Sequence, residues 1–130
     1  MTYLAAPYSH SDSSVCELRF LDVCRAAAIL MRAGITVFSP ISHSHPIARF
    51  GLPTSWEFWL PLDREFLMRC DLLGILTLSG WRESVGVQAE IRLAQELGLP
   101  VVLIELSELE AADRDPTKLT ALLRMEVTPS

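Results

Sequence analysis

The stretch Ser84-Val85-Gly86-Val87-Gln88-Ala89-Glu90 combines a helix start, a gap and a carboxylate. Serine is a favoured helix N-cap, and the unpaired N–H groups and positive dipole end that follow it favour an anion. Gly86 and Glu90 lie one turn apart on one helix face, and the glycine leaves space above the carboxylate. A carboxylate so placed at a ligand edge is a candidate nucleophile. The other reading is a surface glutamate on an ordinary amphipathic helix. Asp63 offers a second carboxyl, or else one solvated helix position. Two carboxyls with split roles cleave a glycosidic bond: one attacks the anomeric carbon and the other donates a proton to the leaving group. Asp71 directly precedes an apolar run, at the edge away from the chemistry, and reads as a capping or ion-pairing residue.

His43 and His45 alternate with serine and could contact a substrate or order a loop. No third ligand stands at a zinc spacing, so no metal is expected. Trp56, Phe58, Trp59 and Trp81 could stack on a planar base. They could equally serve a core or a subunit interface, where aromatic residues are enriched. The segment Ala5-Ala6-Pro7-Tyr8-Ser9-His10 lacks both the G-x-G-x-x-G dinucleotide signature and the phosphate-loop signature, and no cofactor is expected. The small Ala5 and Ala6 would either admit a ligand to the backbone or simply permit helix packing.

These residues need elements to hold them. Thr2–Ala6 reads as a buried strand ending at Pro7. Ser14 with Glu17 has capping-box spacing, and a helical period of apolar residues follows as far as Gly34, a left-handed cap. Ile35–Phe38 is a short strand, and Pro40 to Pro53 a long loop. A helix from Thr54 to Cys70 should be kinked or divided by Pro61. Leu72–Leu76 is a third strand, Ser84–Leu97 a helix capped by Gly98, and Pro100–Glu105 a fourth strand. The tail, 107–130, is more polar, with helix expected around Lys118–Arg124. Strands alternating with amphipathic helices predict one α/β domain over 1–130. The expected architecture is a flavodoxin- or Rossmann-like parallel sheet of four to five strands with helices on both faces. Right-handed crossovers bring the loops after strands 1 and 3 together at a switch point, where ligands bind in open sheets.

Composition narrows the classes. The chain has 130 residues, half of them hydrophobic, which suffices for one buried core and excludes a disordered chain. Its net charge is −5 and its only lysine is Lys118, a poor endowment for binding nucleic acid, and no nucleic-acid partner is expected. No apolar run is long enough for a membrane span, so no membrane partner is expected. Cys16, Cys24 and Cys70 read as reduced, mostly buried thiols of a cytoplasmic protein. A strand starting at residue 2 leaves no room for a signal peptide.

Three segments in order carry a resemblance: Tyr3-Leu4-Ala5-Ala6-Pro7, Asp63 with Asp71, and Ser84-x-Gly86-Val87-x-x-Glu90. Together they resemble the nucleoside 2-deoxyribosyltransferase-like superfamily, which includes deoxyribosyltransferases and deoxynucleoside monophosphate N-glycosidases. Within it the chain looks most like the bacterial DUF1937 family. The resemblance implies that Glu90 is the nucleophile at C1′, that Asp63 assists the departing base and that Tyr3 positions the nucleophile or sugar. It places Ser84 at the 5′ end of the sugar, where serine resembles the monophosphate hydrolases and Arg82 would add positive charge, and Gly86 joins the substrate-binding set as the gap above Glu90. Ala6 and Pro7 belong to the binding loop, and His43, His45 and Trp59 would line the base side. Arg92 stands where the family often has glycine. The implied partners are a nucleoside or nucleotide and a second copy of the chain, in a homodimer or larger homo-oligomer. The activity expected is cleavage of an N-glycosidic bond; the alternative is a module that binds nucleotides without turning them over.

Overall fold

A computed structural model describes residues 1–53, 55–115 and the backbone of 126–127. Its elements run β1 (Thr2–Ala5), α1 (Ser13–Arg32), β2 (Val37–Phe38), α2 (Pro40–Ala48), α3 (Trp56–Leu67), β3 (Leu72–Leu76), α4 (Val85–Leu97), β4 (Val101–Ile104), α5 (Leu106–Ala112) and β5 (Glu126–Val127). The sheet order is β2-β1-β3-β4-β5. β1 to β4 are mutually parallel, as expected for an α/β chain of this pattern, while β5 pairs antiparallel with β4. The chain steps to one side of β1 for β2 and to the other for β3, so the switch point lies between the β1 and β3 loops. Among the described residues no helix is long and apolar enough to cross a membrane. The helix expected around Lys118–Arg124 and the helix start expected at Thr54 lie outside the described residues.

The period-two alternation of β1 divides the core. Leu4 and Ala6 pack with Val23, Leu30, Val102, Ile104 and Leu109 on the α1/α5 face. Tyr3 and Ala5 pack with Leu67, Leu73, Ile75, Val87 and Ala94 on the α3/α4 face. Each fully buried large aliphatic side chain contributes about 1.5–3 kcal/mol relative to an exposed one. The alternation therefore fixes which face Tyr3 serves, since a one-residue slip would turn it to the other side.

Several local expectations are corrected. Asp12, not Ser14, caps α1: its carboxylate accepts from the Ser14 N–H at 2.9 Å. Gly34 does take a left-handed conformation (φ 85°) just past the helix. There the Ile35 N–H donates to Leu30 O at 3.1 Å, and that bond holds Ile35 in the cap, so β2 begins at Val37. The segment expected as a loop from Pro40 to Pro53 is helical over Pro40–Ala48, forming α2, capped by the Ser39 hydroxyl, with Pro40 in its first turn and Pro46 inside; residues 49–53 are irregular. Pro61 does not divide α3, which runs unbroken over 12 residues with the proline inside it; the helix gives up one internal hydrogen bond there. The Asp71 carboxylate pairs with the Met1 amino group at the edge opposite the site, in line with the ion-pair reading. Only Cys70 is buried; Cys16 and Cys24 sit half-buried on α1, and all three are free thiols.

Candidate active site

Four elements converge at the switch point. The β1 loop contributes Ala6, Tyr8 and Ser9; α2 contributes Ile41, Ser44 and His45; α3 contributes Trp56, Trp59 and Asp63; and the α4 start contributes Glu83 to Gly86 and Glu90. Together they line a cavity of about 300 Å³, at the lower end of the usual range for small-molecule pockets. Arg19 ties its rim together. One guanidinium nitrogen donates to the Tyr8 and Ser9 carbonyls and the other to Ser79 O at 3.1 Å, which joins the β1 loop to the β3 loop.

α4 is built as its residues predict. Ser84 Oγ accepts from the Val87 N–H at 3.2 Å, and Gly98 closes the helix in a left-handed conformation. As an acceptor in that cap, Ser84 keeps its own O–H to donate. The N–H groups of Val85 and Gly86, in the first turn, have no carbonyl of their own helix to bond. A Cβ at Gly86 would stand 3.7 Å from Trp56 Cβ, so the glycine is the gap between α4 and the α3 aromatics.

Glu90 is no surface residue. It is 8 % exposed and accepts a hydrogen bond at Oε2 from the Tyr3 hydroxyl, itself wholly buried on the same sheet face. Burial pushes the Glu90 carboxyl up to about 8; the Tyr3 bond works against that rise and nearby Asp63 adds to it. Burial likewise raises Asp63 to about 7. Asp63 Oδ1 is buried with no hydrogen-bond partner among the described residues, an orphan that calls for a ligand group. Both carboxyls line one desolvated cavity, and burial favours the protonated form of each.

The family described as "Domain of unknown function (DUF1937)" matches residues 1–106. The chain belongs to the DUF1937 family. No curated protein matches it.

In this DUF1937 member the residues singled out from sequence are gathered unevenly. Glu90, Asp63, Ala6, His45, Trp59, Ser84 and Gly86 line the cavity, and Tyr3 supports it from below through Glu90. Pro7 is buried beside Ala6 and is not part of the lining. His43 turns away, against Phe38 and Phe66. Arg82 also turns away, its guanidinium 5.0 Å from the Trp81 ring centre. Of the four aromatics, Trp56 and Trp59 line the cavity, Trp81 packs on the α3/α4 core and Phe58 is exposed against Trp59. No group of three or more His, Cys, Asp or Glu is placed to hold a metal among the described residues. Tyr8, Ser44 and Glu83 also line the cavity, and the sequence alone does not assign them to a site. Tyr8 and Glu83 border segments that were singled out, whereas Ser44 needed α2 to be read as a helix.

Proposed function

We propose that this protein cleaves the N-glycosidic bond of a nucleoside, with Glu90 as nucleophile and Asp63 as the acid that releases the base. The observation that carries the reading is the Tyr3–Glu90–Asp63 arrangement: two carboxyls at one cavity, one held by a buried phenol and the other with its buried Oδ1 unpartnered among the described residues.

In the first step a Glu90 oxygen forms a bond to C1′ while the C1′–N bond breaks. The base leaves with that electron pair and takes the Asp63 proton. In the second step a water oxygen attacks C1′, Glu90 departs as carboxylate and Asp63 takes the water's proton. A second base in place of water would make the same chemistry a transfer. The bound base sets the protonation. A ring nitrogen accepting from Asp63 favours the proton there, and the Tyr3 donor favours the anion on Glu90. Tyr3 occupies Oε2, which leaves Oε1 for the attack.

Cavity charge narrows the substrate to a free nucleoside rather than its 5′-monophosphate. Asp63, Glu83 and Glu90 line the cavity, with no lysine or arginine among the described lining residues. A phosphate would meet the lining carboxyls, and the Arg19 guanidinium at the rim is already committed to the Tyr8, Ser9 and Ser79 carbonyls, whereas a sugar hydroxyl suits the Ser84 O–H and the first α4 amides. The base then lies against Trp59 and the α2 wall.

The test is turnover. The chain is incubated with 2′-deoxynucleosides and their 5′-monophosphates, with and without a free second base, and base release is followed by chromatography. Release from nucleosides that vanishes in a folded Glu90→Ala variant is the expected result. Release from no substrate would overturn the reading and leave a binding module.

A further inference from the structure

Tyr8, His45 and Glu17 form a hydrogen-bonded chain from the cavity to the exposed side of α1, and no step above uses it. Tyr8 lines the cavity and its hydroxyl bonds His45 Nδ1. His45 Nε2 lies 2.8 Å from Glu17 Oε2. Phe20 stacks on the imidazole with ring centres 4.2 Å apart, and Tyr8 meets it edge-on at 79°, so the ring is held in one plane. The His45 side chain is 13 % exposed, that of Glu17 51 %.

The order of donors follows from Glu17. A carboxylate only accepts, so the bond to it requires a proton on Nε2. A neutral imidazole carries one N–H, so Nδ1 is bare and accepts in turn. In that neutral form of the ring the Tyr8 hydroxyl gives its only proton to Nδ1. What its oxygen retains for the cavity is lone pairs.

We infer that Tyr8 is a fixed hydrogen-bond acceptor toward the ligand and selects a base that presents an exocyclic amino group over its oxo counterpart. The inference rests on the nucleoside reading above, which puts the base against the α2 wall where Tyr8 and His45 meet. An amino group there completes the chain. A carbonyl there sets lone pair against lone pair, and neither partner can turn to relieve it.

Two readouts separate this inference from the reading beneath it. The first needs no ligand. Long-range nitrogen–proton NMR correlations of the His45 ring are recorded at about pH 7.5. They report the Nε2–H tautomer in the native chain. In Glu17→Lys, where the ammonium only donates, they report the Nδ1–H tautomer. The second is the kcat/KM ratio of 2′-deoxyadenosine to 2′-deoxyinosine, and of 2′-deoxycytidine to 2′-deoxyuridine. The native chain favours the amino member about tenfold, the equivalent of one hydrogen bond. Tyr8→Phe brings the ratio near unity and Glu17→Lys inverts it. An Nδ1–H or doubly protonated ring in the native chain overturns the inference, as does turnover with a ratio unmoved in both variants. Turnover of none of these nucleosides overturns the nucleoside reading, and the base preference with it, whatever the tautomer.

Discussion

Tyr3 and Glu90 stand 87 residues apart in the chain and are joined by a buried hydrogen bond between β1 and α4. The tyrosine arrives there because β1 alternates, and the glutamate because α4 starts at Ser84 and turns Gly86 and Glu90 to one side. That bond is the one local influence that draws the Glu90 carboxyl toward its anion.

Removing it should slow the chemistry. Tyr3→Phe is expected to lower kcat about 10- to 100-fold with little change in KM, the range for one hydrogen bond to a charged group. The loss also raises the Glu90 pKa further, so the rising limb of the kcat–pH profile moves to higher pH. Steady-state kinetics across pH checks both.

Stability of the unliganded protein should fall as pH rises. Glu90 goes from an ordinary 4.5 to about 8 on folding, and Asp63 from 3.8 to about 7. Between those values the folded chain binds more protons than the unfolded one, so each rise in pH costs stability. Thermal melts from about pH 4.5 to 8 should show Tm declining throughout. The decline should flatten in Glu90→Gln and flatten further when Asp63→Asn is added.

Ser84 serves both helix and ligand, and two substitutions separate the roles. Ser84→Ala removes the cap and should cost about 1 kcal/mol in urea denaturation, together with a loss in kcat/KM. Ser84→Asp keeps the cap and so keeps stability. It removes the Ser84 O–H donor from the cavity, and kcat/KM should still fall.

The gap at Gly86 should be functional rather than structural. A Cβ there meets nothing closer than 3.7 Å, and alanine is the better helix former. Gly86→Ala is therefore expected to hold or raise stability, by up to about 1 kcal/mol, while its methyl group narrows the cavity and raises KM. Paired denaturation and kinetic measurements read the two effects.

The legible parts of the fold were those where several local signals agreed. β3 lies at Leu72–Leu76 as its apolar run indicates, and α4 starts after Ser84 and ends at Gly98 as its caps indicate. Glu90 was therefore placed correctly on its helix, but its burial was not legible, because burial depends on Tyr3 from a distant strand. α2 was missed because Pro40 and Pro46 read as breakers. A proline in the first helical turn loses no internal bond, and Ser39 before it is a capping signal that the proline masked. Missing α2 hid the His45 wall of the cavity and gave His43 and His45 equal standing. Spaced two apart on a helix, they point different ways. Arg82 was assigned to the cavity from sequence proximity alone, and its contact with Trp81 takes it elsewhere.

The most direct test of the central claim is covalent capture at Glu90. The chain is incubated with 2′-deoxy-2′-fluoro-arabinonucleosides, whose fluorine slows breakdown of a glycosyl ester, and intact and peptide masses are recorded. One added fluorosugar on the α4 peptide at Glu90, absent in Glu90→Gln, is the expected result. Turnover of the natural nucleosides with no adduct at Glu90, or with an adduct on another residue, would contradict it.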